Sequence, residues 1–316
     1  MSNHGAGQAM SREDWAILLF LSVLWGGSFF FIEIALESVR PFTLVLIRVT
    51  LAAAMLWGFL WWRGQKLAMP PGAAFAYLVL ALLNNVIPFV MFAWAQEAIT
   101  GGLASILNAT TPIWGVLVAH LFTADEKATP NKVIGVLLGF AGVAVLIGTD
   151  FLGELGRGLI AQLACLAATL CYALAGVWAR RFRPMGIEPV GVATGQLTAA
   201  AIVMLPLVLL FEPPWLAAAP SPAAWLSLAA LALFCTSLAY ILYFRLLASA
   251  GATNSLLVTF LIPVTAILLG ALFLGERLEP RSFAGMALIA AGLAAIDGRL
   301  FRRGASESKE KSSLRT

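Results

Sequence analysis

One pattern occurs twice in this sequence, and it constrains the fold more than any local feature. Glu126-Lys127 stands between two long apolar stretches and is followed by Pro130, Gly135 and Gly142; Glu276-Arg277, Pro280, Gly285 and Gly292 restate it 150 positions on. Gly101 returns as Gly251, and Pro112 as Pro263, one residue out of step. Each copy reads as a helix, a tight turn opening on an acidic-basic pair, and a second helix beginning at proline, which is pre-organised for the first helical position. A chain that restates itself at this range is expected to fold as two related modules.

Composition says in which solvent. The chain is 61% hydrophobic and 11% charged, against roughly 45–50% and about 25% for soluble domains. This is the composition of an integral membrane protein. A helix needs about 20 mostly apolar residues to cross a bilayer, and ten stretches approach that length: 15–36, 42–62, 73–98, 103–122, 132–148, 158–179, 190–211, 223–248, 254–274 and 282–296. The breaks carry turn residues or charge, as at Arg40-Pro41, Arg183-Pro184-Met185-Gly186, Glu212-Pro213-Pro214 and Gly251. No alternating strand pattern occurs, which excludes a β-barrel. The expected fold is all-α, with ten transmembrane helices in two five-helix repeats, residues 15–150 and 157–298. Polar segments, 1–14 and 299–316, flank them. Cys165, Cys171 and Cys235 lie inside apolar stretches and read as small buried hydrophobes, not as a disulfide framework.

Basic loops stay cytosolic. With the N-terminus inside, the inner segments hold 15 Lys and Arg and the outer ones 4, Arg48 lying within a helix. Both termini are therefore expected in the cytosol of a bacterial inner membrane. Five helices per half is an odd number, so the second copy must insert upside down. Inverted repeats of this kind are a transporter signature, with the solute near the midplane where the halves meet. The earlier helices fit the same division: Arg40-Pro41 with Arg48 corresponds to Glu188-Pro189 with Gln196.

The residues Leu24-Trp25-Gly26-Gly27-Ser28-Phe29, Pro41 with Arg48, the two Glu-x-x-x-Pro turns and the glycines trailing them resemble the drug/metabolite transporter superfamily, and most closely its ten-helix EamA-type branch. The resemblance covers roughly residues 15–298. It implies a basket of ten helices around a central cavity, lined by the first, third, fourth, sixth, eighth and ninth, with the fifth and tenth outside. Within the branch, the aromatic-rich interior resembles exporters of aromatic and other neutral amino acids. Carriers of quaternary amines or other drugs in the same superfamily are the alternative.

Polar residues inside a membrane are expensive and are site candidates by default. The third helix offers Asn84, Asn85 and Phe89, with Pro88 releasing the Asn84 carbonyl from its helical bond. The fourth offers Asn108 and Thr111, and the ninth Asn254 and Thr259, near helix N-termini whose dipole suits a carboxylate. Interhelical bonding is the competing role for all of these. Trp25, Ser28 and Phe29 on the first helix, Tyr172 on the sixth and Thr236, Tyr240 and Tyr243 on the eighth supply an aromatic lining. Trp178, near a helix end, fits an interfacial belt better than a cavity. Arg48 is expected to pair with Glu33 or Glu97 near the outer face, or to snorkel to the interface.

Asp occurs only at 14, 125, 150 and 297, all at segment ends. That leaves no acidic cluster for metal-dependent transferase chemistry and no paired Asp for intramembrane proteolysis. No Gly-x-x-x-x-Gly-Lys loop occurs, and no charged ring of a channel. The expected protein is thus not an enzyme, needs no cofactor or metal, and has a small-molecule solute and the lipid bilayer as partners, with no nucleic acid. The glycines of the fifth and tenth helices serve either packing within the bundle or a homodimer face; a monomer is favoured.

Overall fold

The computed structural model of the chain describes residues 10–123, 130–147, 157–213, 219–255, 258–274 and 280–297, and every regular element within them is helical. In chain order these are α1 (Arg12–Leu36), α2 (Pro41–Trp62), α3 (Ala73–Ala95), α4 (Gly101–Phe122), α5 (Pro130–Ile147), α6 (Arg157–Ala179), α7 (Pro189–Phe211), α8 (222–255), α9 (258–274) and α10 (Pro280–Asp297). The turns at Glu126-Lys127 and Glu276-Arg277 and the polar tail lie outside the described residues.

Local chemistry sets the helix starts. The Ser11 hydroxyl accepts from the Asp14 amide while Asp14 accepts from the Ser11 amide, closing a capping box at the head of α1. Thr100 and Ser221 cap α4 and α8. Proline opens α2, α5, α7, α8 and α10. These devices settle N–H groups that a bilayer could not hydrogen-bond.

Seven of the helices are long and apolar enough to cross a membrane; three shorter apolar stretches, Val133–Gly142, Leu261–Phe273 and Phe283–Gly292, fall where the fifth, ninth and tenth segments were expected. Large apolar side chains such as Phe20, Leu137, Leu210 and Leu272 point outward, as lipid-facing surfaces do. Trp61 and Trp62 stand exposed at the end of α2, suited to an interfacial belt.

One boundary differs from the sequence reading. Gly251 does not break the chain: α8 continues through it to Ser255, so Asn254 belongs to the last turn of α8 and not to the start of α9. A helical glycine costs about 1 kcal/mol relative to alanine, which packing readily overrides. The break expected at Pro88 takes the form of a π turn, Leu82–Val86, just before it. A second π turn, Leu233–Leu238, interrupts α8 at nearly the matching repeat position, with no proline beside it.

The helices pack in matched pairs. α5 lies on α10, α2 on α7, and α1 on both α8 and α9, as α6 lies on both α3 and α4. The α5–α10 seam is the closest. A Cβ added to Gly142 would fall 2.8 Å from the Gly285 carbonyl oxygen, and one added to Gly292 2.6 Å from that of Gly135. As α5 advances from 135 to 142 its partner recedes from 292 to 285, so the two helices are antiparallel. The glycines singled out in the sequence are thus used inside the chain, where small residues let helix backbones touch. Gly26 of α1 serves the same end against α9, where a Cβ would sit 2.6 Å from that of Thr265.

Candidate functional site

Polar side chains of the two π turns gather around Tyr240 and Arg48. A π turn widens the helix by one residue and re-aims the side chains it carries, here Asn84 and Asn85 on α3 and Cys235, Thr236 and Ser237 on α8. The Asn85 amide nitrogen donates to the Tyr240 hydroxyl at 2.9 Å, and that of Asn84 donates to the same hydroxyl at 3.3 Å and to Gln196 Oε1 at 3.0 Å. Thr236 donates to the Leu231 carbonyl, a bond reaching back five residues that the π turn makes available, and accepts from Arg48 Nε at 2.8 Å. The expected group of Asn84, Asn85, Phe89, Thr236 and Tyr240 is therefore brought together, and Gln196, set aside in the sequence except as the counterpart of Arg48, joins it.

Arg48 does not pair with Glu33 or Glu97. Glu33 instead accepts from the Gly101 amide at 2.9 Å and caps α4, and Glu97 is exposed at a helix end. Nor does Arg48 snorkel: it is 5% exposed, with its guanidinium carbon 4.0 Å from the centre of the Phe89 ring. The titratable groups near enough to act on it are Cys235, Tyr172 and Tyr240, none of them a carboxylate. Depth along α2 suits the pairing, but the α2 face carrying residue 48 turns toward α8 and α3.

Aromatic rings enclose this centre on two sides. Phe92 stands edge-on to Phe29 at 5.6 Å and stacks with Tyr172 at 6.2 Å, joining α1, α3 and α6. Trp25 meets Tyr243 at 5.4 Å, and Phe244 links Tyr243 to Tyr240. Tyr172 and Tyr243 are half-buried. Ser28 is buried beside Cys235.

The remaining candidates make other contacts. Thr111 donates to the Asn108 carbonyl and helps close a break in α4; the contact from α4 to α6 is made by Thr110 and Thr169, 3.0 Å apart. Thr259 is half-buried in α9, and the Asn254 side chain lies outside the described residues. Trp178 donates to the Ala76 carbonyl and carries Arg181 over its ring, near the end of α6 and away from the centre. Phe92 and Gln196 are the additions the structure makes. Phe92 shares a helical face with 85 and 89, and Gln196 matches Arg48 by position, so both left a trace in the sequence.

The chain is 26% identical over 280 residues to "Uncharacterized inner membrane transporter YedA" of Escherichia coli (strain K12), covering 86% of each. It is 28% identical over 297 residues to "Protein PecM" of Dickeya dadantii, covering 93% of this chain and 95% of that one. "Uncharacterized transporter YoaV" of Bacillus subtilis (strain 168) is 23% identical over 87% of this chain and 94% of its own length. A solved crystal structure shares the fold with a TM-score of 0.71 at 22% identity, over 93% of this chain and 100% of that one. The profile of the EamA-like transporter family matches residues 14–148 and again 159–296. With helices of membrane-crossing length already in view, that double match over most of the sequence makes this multi-pass membrane protein a transporter belonging to the EamA-like family.

Proposed function

We propose that the chain is a secondary transporter of a bacterial inner membrane that exports amino acids, aromatic and other neutral ones foremost, by alternating access. In this reading ten helices cross the bilayer in two inverted sets of five, with both termini in the cytosol. The observation that carries it is the central cluster, where rings from α1, α3, α6 and α8 face a small group of amides, hydroxyls and one guanidinium. Few polar groups placed in an otherwise apolar lining are what a small solute with a flat side chain requires. The antiparallel α5–α10 seam supports the inversion, because reciprocal contacts between Gly142 and Gly285 and between Gly292 and Gly135 follow from a two-fold axis in the membrane plane. Such an axis gives each half an equivalent gate.

Counterflow in proteoliposomes tests this. Labelled phenylalanine, tryptophan and leucine are expected to exchange saturably. Exchange of quaternary amines alone assigns the chain to a multidrug role, and non-saturating flux makes it a channel. Impermeant thiol labelling of single cysteines placed at Lys127 and Arg281 is expected to reach opposite sides of the membrane; labelling of both from one side removes the inverted arrangement.

A further inference from the structure

Arg48 is a full positive charge held inside the bundle with no acidic partner among the described residues. Its Nε bonds Thr236, its face lies on Phe89, and neither terminal nitrogen has a hydrogen bond among the described residues. A cation in a bilayer interior costs several kcal/mol unless something offsets it. One neutral hydroxyl and one ring, the latter worth about 2 kcal/mol when desolvated, leave the charge undercompensated. The side chain is only 5% exposed, so little water reaches it to offset the charge. The guanidinium is thus anchored through its inner nitrogen, while its two-pronged outer edge has no hydrogen-bond partner among the described residues.

That edge is the half of an arginine that matches a carboxylate, donating two parallel N–H bonds to its oxygens. We propose that Arg48 docks the carboxylate of the transported solute, so that the site selects anionic heads and rejects amines lacking one. The inference rests on the transport reading above and narrows it. Residue 196, at the matching position of the other half, is the neutral Gln196, already held by Asn84. The carboxylate anchor is therefore single and belongs to the first half. The rings of Phe89, Tyr172 and Tyr240 near Arg48 would give an apolar side chain aromatic contacts beside the charged pair. A purely structural arginine would hold α2, α3 and α8 together equally well whatever the solute carries.

The test uses the full-length protein, purified and reconstituted, with matched probes: phenylalanine against phenethylamine, and leucine against isoamylamine. Binding is read by tryptophan fluorescence and transport by counterflow, for the wild type, Arg48→Gln and Arg48→Lys. The acids are expected to bind at least roughly tenfold more tightly than the amines, as a charge-assisted pair would give. Arg48→Gln should erase that preference and Arg48→Lys restore part of it. Helical content and a monodisperse elution profile establish that each variant folds; the lysine variant keeps the test alive if the glutamine one does not. Amines binding as tightly as acids, an acid preference intact in Arg48→Gln, or no acid binding at all would each overturn the proposal. Saturable counterflow of amines insensitive to Arg48→Gln sinks the anchor and leaves the transporter standing. Acid binding without flux does the reverse.

Discussion

The α5–α10 seam and the central cluster occupy equivalent places in two related halves, yet they treat that relation in opposite ways. At the seam two glycines recur at one offset, Gly135 as Gly285 and Gly142 as Gly292, and they meet crosswise, Gly142 on the backbone of Gly285 and Gly292 on that of Gly135. At the centre they diverge: Arg48 corresponds to Gln196, Phe89 to Tyr240, and Asn85 to Thr236 by repeat position. Close backbone packing leaves no choice of side chain, so the copies stay alike there. A site for an asymmetric solute needs different groups on its two sides, so the copies separate there.

Substitutions at the seam should produce the largest effects, and equal ones. A methyl at Gly142 or at Gly292 must push against backbone that cannot step aside. Gly142→Ala and Gly292→Ala are each expected to lower stability by about 3 kcal/mol, read as a drop in apparent Tm of roughly 6–12 °C in detergent. A clear inequality between the two would show that the seam is less symmetric than its contacts.

The centre should respond unequally. Tyr240→Phe installs the type of ring its counterpart Phe89 already has, but strands the Asn85 amide, whose acceptor is the Tyr240 hydroxyl. A buried donor left unsatisfied costs about 1–3 kcal/mol, so thermal stability should fall by less than in the glycine variants. No change would mean that the two halves are interchangeable at this position.

A smaller contrast lies at the helix ends. Glu212 accepts from the Phe42 and Thr43 amides and from the Thr43 hydroxyl, capping α2 from a distant part of the chain. Gln65, one residue past the matching place in the first half, donates to Glu188 instead. Glu212→Ala is expected to cost about 1 kcal/mol, measurable as a lower denaturation midpoint. The smallest effect belongs to Arg245→Ala, which removes an ion pair to Glu13 whose members are 62% and 65% exposed. Such pairs contribute below about 1 kcal/mol, so unchanged stability is the expected reading, and a large loss would place that end of α1 and α8 among the critical contacts.

Much of this architecture was legible in the chain itself. Long apolar stretches and proline-led starts located α1, α2 and α7 to within a few residues, because a bilayer permits few ways to satisfy a backbone. The repeated glycines marked the α5–α10 seam for the same reason that they are glycines: a backbone lies where a Cβ would go. The aromatic and amide residues of the centre were recognisable by type. Their partners were not. Nothing in the sequence announced the π turn at Leu233–Leu238, which lacks a nearby proline, or turned the Arg48 face toward Thr236 and away from Glu33. Gly251 read as a break and proved helical. What the sequence determined by itself was which segments are helical and apolar, a matter of local periodicity and solvent. Which polar groups meet was decided only by the tertiary structure, because helix rotation and register depend on packing between segments far apart in the chain.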